Sequence, residues 1–198
     1  IFYDVFEESE KQKAFEVLLD LIKIADYHMD TGILGARVIF HVLSVFGKSD
    51  LAFDMITTPN FPSYGNWIVR GATSLWEDFQ PEGGSVASLN HHFFGDISSW
   101  FIKTITGINL NPYKNNVNEI LIAPKFIEKL NHASAYHSAP AGDIKVSWQR
   151  SDDKKIILNI SVPKEISGKI KLENSHIFED GLSYKDAYTG TYTLLEQI

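Results

Sequence analysis

Residues 91–123 read HHFFGDISSWFIKTITGINLNPYKNNVNEILIA, and the spacing of their apolar residues changes partway along. Phe94, Ile97, Trp100, Phe101 and Ile105 recur every three or four positions, which predicts a helix over 91–108, with Asn90 as its N-cap and Gly107 at its end. Beyond Pro112 the apolar residues come in short, partly alternating runs instead: 119–123, 133–138, 143–149, 155–162 and 169–173. Turn clusters separate them, among them Ala139-Pro140-Ala141-Gly142 and Pro163-Lys164-Glu165. Short strands at this spacing predict a sandwich. Residues 184–188 and 191–195 add a final hairpin around Thr189-Gly190. The chain therefore divides into an all-α part, residues 1–112, and an all-β antiparallel sandwich, residues 113–198.

The α part carries more helical signal upstream. Residues 9–29 place Ala14, Phe15, Val17, Leu18, Leu21, Ile22, Ile24 and Ala25 on one broad stripe, with Ser9 a possible N-cap. Residues 32–46, GILGARVIFHVLSVF, are apolar around most of the girth, as in a helix buried on several sides, and Gly47 fits its end. Residues 50–57 form a third, short helix stopped by Pro59. Residues 58–90 read as irregular, rich in Pro, Gly, Ser and Asn; a loop of that length inside a domain is usually functional or disordered. So apolar a second helix needs neighbours. Either the α half packs on the sandwich alone, or it is the tail of a larger helical domain. The first residue is Ile1 rather than Met, which also points to a piece of a longer protein.

Composition excludes several functions. The formal net charge is −7, and no basic face interrupts it, so nucleic-acid binding lacks its main electrostatic term. No apolar run reaches the roughly 18 residues that span a bilayer. There is no Cys, hence no disulfide, thiol nucleophile or Cys-based zinc site. No glycine-rich phosphate loop, nucleophile elbow or zinc-protease motif occurs. No cofactor or metal is expected, and the partner is a neutral small molecule, a polymer or the rest of the protein. The compartment stays open.

Glu77 leads the candidates for chemistry. It follows Trp76 in Gly71-Ala72-Thr73-Ser74-Leu75-Trp76-Glu77-Asp78-Phe79. A carboxylate among rings is either partly stripped of water or faces a ring-shaped ligand, unless it is simply a solvated loop acid. Hydrolysis of a glycosidic bond needs two carboxylates flanking it. His91 and His92 would open the helix after the loop. Adjacent helical residues point about 100° apart, so the two are a poor chelate for one metal. Trp67, Trp76 and Tyr64 have two readings each: stacking on a sugar face, or core packing. Trp100 and Trp148 read as core, and His28 and His41 as packed or satisfied polar groups on helices.

Three segments in order carry a family resemblance: Thr31-Gly32-Ile33-Leu34-Gly35, then Gly71 to Glu77, then Ser88-Leu89-Asn90-His91-His92-Phe93-Phe94-Gly95. Together they resemble the C-terminal part of bacterial α-L-rhamnosidases of glycoside hydrolase family 78. Ile120-Leu121-Ile122-Ala123-Pro124 and Gly142 to Trp148 are similar to the β-sandwich that closes those enzymes.

The resemblance implies that the α part is a segment of an (α/α)6 barrel in an inverting enzyme. It implies Glu77 as general base and His91 as a sugar contact, with Trp76, Trp67 and Tyr64 shaping the substrate site. His92 stands where many relatives carry Tyr, and Asp78 where Arg is common. The general acid of the family lies earlier in the barrel, and residues 1–30 contain no match for it. The expected partners are a rhamnose-containing glycan or glycoside and the upstream barrel of the same protein, and the isolated chain should be inactive. Two alternatives stand beside this: a carbohydrate-binding or structural module without catalysis, and a related helical-barrel hydrolase for another sugar.

Overall fold

The computed structural model describes residues 1–110, 118–151, 153, 155–173 and 175–197. The expected boundary at residues 112 and 113 lies outside them. The chain folds as two compact units, Ile1–Ser99 and Trp100–Ile198.

The first unit is helical: α1 Glu8–Ile24, α2 Ile33–Ala36, α3 Ile39–Val45, α4 Ser49–Thr57 and α5 Tyr64–Val69, followed by the start of α6, Asp96–Trp100. α1 begins one residue before Ser9. Glu10 reaches back to accept from the Glu7 backbone N–H at 3.0 Å, so acidic residues rather than the serine set its start. It ends at Ile24, short of the expected residue 29, because Asp26 and Tyr27 take left-handed backbone conformations. Of its apolar stripe Phe15 and Ile22 are buried, Phe15 stacked on Phe46 at 4.1 Å, whereas Val17, Leu21 and Ile24 are exposed.

The expected helix over 32–46 is two helices. Val38 leaves helical geometry (φ −124°) and its N–H bonds the carbonyl of Gly35, three residues back. Two glycines and a β-branched residue weaken the helix at that point. Gly47, with φ +71°, ends α3 as expected, and α4 matches the third helix. The span read as wholly irregular contains α5, capped by the fully buried Ser63, whose hydroxyl accepts from the Asn66 N–H at 2.9 Å.

The helix expected over 91–108 also starts later than its spacing implies. His91 to Gly95 are not helical, α6 starts only at Asp96, and a π-helical turn over Phe101–Ile105 follows it. Gly107 (φ +76°) ends the run.

The second unit holds two sheets. β1 Ile108–Leu110, β2 Glu119–Ile122, β6 Ser167–Lys171 and β8 Tyr184–Asp186 form one, in the order β1-β2-β6-β8. β3 His132–Ala139, β4 Gly142–Arg150, β5 Ile156–Ser161, β9 Gly190–Glu196 and β7 His176–Phe178 form the other, in the order β3-β4-β5-β9-β7. Every expected strand is present. The pairing is antiparallel except between β2 and β6, which run parallel. β8 and β9 belong to different sheets, so the final hairpin does not form; β8 pairs with β6, and β9 lies between β5 and β7.

The alternation that predicted β4 and β5 buries Ile144, Val146 and Trp148, and Ile156, Leu158 and Ile160. Trp148 is core: its indole N–H donates to the Ile105 carbonyl at 2.8 Å, and its ring meets Phe126 edge-on. Trp100 is fully buried. Among the described residues no helix is long and apolar enough to cross a membrane.

Candidate active site

The first unit brings Glu77 and His91 together. Two backbone hydrogen bonds tie their segments antiparallel: Glu77 N–H to Ser88 C=O at 3.0 Å, and His91 N–H to Leu75 C=O at 2.8 Å. The Ser74 hydroxyl adds a bond to the Leu89 carbonyl. The crosslinks place Nδ1 of His91 3.9 Å from Oε2 of Glu77, with the side chains 22% and 34% exposed. Both therefore reach solvent from a half-buried position. His91 also packs on Phe93 (3.9 Å between rings), while His92 is exposed.

Beneath them lies an aromatic cluster. Trp67 stacks on Phe79 at 4.4 Å, and Tyr64 meets Trp67, Phe79 and Phe94 edge-on. Trp76 lies 6.0 Å from Trp67. Of the two readings for Trp67 and Tyr64, core packing describes what is observed. Trp67 is 2% exposed, and the Tyr64 hydroxyl donates to the Phe94 carbonyl at 3.1 Å. Burial, and then the charge of Asp96, push the Tyr64 hydroxyl well above its ordinary pKa, so it stays protonated as that donor. Trp76 is buried too, and sits at the edge of the cluster next to Glu77 in sequence.

Arg70, which the sequence did not single out, braces the site. The Arg70 guanidinium lies 5.0 Å over the Trp76 ring and donates to the Gln80 carbonyl, so one cation holds both ends of the 76–80 segment. The only sequence signal for it was its position three residues after Trp67, at the end of α5. Asp78 is half-buried, and its Oδ2 accepts from the Gln80 side chain at 2.9 Å. His41 bonds Asp96 at 2.7 Å, joining α3 to the start of α6. His28 lies in the turn after α1 rather than on a helix, its Nδ1 2.6 Å from the Asp26 carbonyl oxygen. Among the described residues no three His, Asp or Glu side chains gather as a metal site.

Glu77 is a half-buried carboxylate that faces His91 and still reaches solvent. It can accept a proton from a bound water, while His91 offers a ring nitrogen to a ligand hydroxyl.

The family model described as the bacterial alpha-L-rhamnosidase 6 hairpin glycosidase domain matches residues 1–105, and that of the bacterial alpha-L-rhamnosidase C-terminal domain matches residues 107–179. An alpha-L-rhamnosidase of Alteromonas sp. (strain LOR) is 33% identical over 176 residues, which is 84% of this chain and 19% of that protein. One from Formosa agariphila is 32% identical over 86% of this chain and 19% of its own length. The chain thus spans about a fifth of the length of these relatives. Among solved structures, the alpha-L-rhamnosidase from Dictyoglumus thermophilum superposes with a TM-score of 0.84 at 26% identity, covering 99% of this chain and 24% of that one. The Streptomyces avermitilis alpha-L-rhamnosidase complexed with L-rhamnose superposes with a TM-score of 0.83 at 25% identity, covering 98% and 20%.

Proposed function

The chain belongs to the bacterial α-L-rhamnosidases, and from that premise we propose that it is part of an inverting glycoside hydrolase that releases terminal α-L-rhamnose. Residues 1–112 are a late segment of its (α/α)6 barrel, and residues 113–198 are the β-sandwich domain that follows it. Glu77 is the general base. It takes a proton from the water that attacks the anomeric carbon, while a carboxylic acid upstream of Ile1 protonates the leaving oxygen. An inverting pair stands about 6.5–9.5 Å apart to admit that water. His91 holds a sugar hydroxyl. Trp76 forms the wall beside Glu77, and Trp67 and Tyr64 shape the site from beneath by fixing Trp76 and Phe79. The isolated chain has no turnover, since it lacks the acid.

The observation that carries this reading is the Glu77–His91 pair, 3.9 Å apart on two backbone-bonded segments. The experiment is Glu77→Gln in the full-length protein, assayed on an aryl α-L-rhamnoside. A general base contributes about 10²–10⁴-fold, so turnover should fall by at least 100-fold. Near-wild-type turnover refutes the assignment.

A further inference from the structure

The outer face of the larger sheet carries a groove that this mechanism does not use. Its volume is about 650 Å³, within the range of small-molecule sites. Strand register builds it. Tyr136 on β3 lies opposite Lys145 on β4, which lies opposite Ser161 on β5; the next row is Ser134, Ser147 and Asn159. These residues share one face because side chains alternate along each strand, and their neighbours Ile144, Val146 and Ile160 fill the core.

The chemistry of the face is specific. Tyr136 is 65% exposed, so a flat ring stands open to solvent. Oδ1 of Asn159 accepts from the Thr191 hydroxyl at 2.7 Å, which turns the amide nitrogen into the free donor. The hydroxyls of Ser134, Ser147 and Ser161 have no protein partner among the described residues. Charge is balanced: Lys145 lies 3.8 Å from Asp143, which also accepts from Ser138 at 2.8 Å. An anionic ligand would find one lysine already paired. A neutral sugar suits the face, because its C–H side can lie on the Tyr136 ring while its hydroxyls meet the serine and asparagine rows.

We propose that this groove is a second carbohydrate site, which binds a neutral oligosaccharide chain rather than the terminal sugar at Glu77. It shares with the rhamnosidase reading only the class of ligand. Binding there would hold a polymeric substrate to the enzyme between turnovers.

The test uses the full-length protein carrying Glu77→Gln, titrated calorimetrically with a neutral rhamnose-containing hexasaccharide in saturating L-rhamnose, which fills the terminal-sugar site. Hexasaccharide binding should persist. Tyr136→Ala should weaken it at least tenfold, and Tyr136→Phe, which keeps the ring, less than threefold. In the wild-type background Tyr136→Ala should leave aryl rhamnoside turnover unchanged. Loss of all binding under saturating rhamnose overturns the proposal, as does equal affinity in Tyr136→Ala; the face would then be covered by another part of the protein. Rhamnose released during the titration would reject the Glu77 assignment alone, leaving the Tyr136 comparison readable.

Discussion

Replacing Gly65 by Ala tests whether the packing of α5 sets the site. A Cβ at this position would lie 2.3 Å from the Thr58 carbonyl oxygen and 2.5 Å from that of Thr57. A carbon–oxygen contact relaxes at about 3.3 Å, so α5 must move by about 1 Å or the end of α4 must yield. Both obstacles are backbone, which cannot swing aside as a side chain can. The movement also strains the buried Ser63 hydroxyl, 2.5 Å from the Thr58 carbonyl oxygen and accepting from Asn66 N–H. Overpacking costs about 1–3 kcal/mol, and a broken buried hydrogen bond about 1–3 kcal/mol more. The expected loss of stability is therefore roughly 2–6 kcal/mol. Function should suffer as well. α5 carries Tyr64 and Trp67, which support Trp76 and Phe79 on either side of Glu77. A 1 Å misplacement at a reacting group costs about 100-fold. Denaturant unfolding and aryl rhamnoside turnover of full-length Gly65→Ala would be measured beside Gly32→Ala, whose new Cβ meets nothing within 4 Å. The control loses only an N-cap preference, about 1 kcal/mol at most. A Gly65→Ala protein within about 1 kcal/mol of wild type by the scale of ordinary surface changes, with turnover within twofold, would refute the reasoning.

Two other perturbations probe different links. His91→Ala should lower kcat/KM by about 10–100-fold, the effect of one hydrogen bond to a substrate hydroxyl, with partial recovery in His91→Asn; steady-state kinetics showing a change below twofold would remove His91 from the site. His176 is buried against Phe126 at 4.8 Å, and burial first, then the nearby Arg150 charge, holds its pKa below the ordinary 6.5. The unfolded chain therefore binds the proton more readily than the folded one. Stability should be full above pH 6.5 and fall as the pH drops below it, by at most about 1.4 kcal/mol per pH unit. His176→Phe should flatten that slope in denaturant titrations between pH 7 and 5, and an unchanged slope would exclude His176 as its source.

The β half was legible because a strand records its own environment. β4 alternates Ile144, Val146 and Trp148 with polar neighbours, and the same residues are buried in the fold. Pairing is not recorded that way. Nothing in residues 184–195 says that β8 joins β6 while β9 joins β5, since both strands satisfy their alternation with either partner. The helices were legible as apolar stripes and misread at their ends. His91 to Gly95 fit a helical spacing, yet the His91 N–H is taken by the Leu75 carbonyl, a partner remote in sequence that no local period reveals.

The site shows the same division. The segment from Gly71 to Glu77 and the one from Ser88 to Gly95 were visible as motifs, and their resemblance to one family pointed to Glu77 and His91 before any geometry. Residue types and order thus determined the family and the split into helical and β parts, and marked Glu77 and His91 as the candidates for chemistry. Tertiary structure decided that Trp67 and Tyr64 are buried in one aromatic cluster with Phe79 and Phe94. It also decided that Arg70 braces Trp76, and that Tyr136, Ser147 and Asn159 share one open face. The physical reason is range: periodicity and capping are properties of neighbours along the chain, whereas burial of a ring and alignment of a polar row depend on segments that meet only when folded.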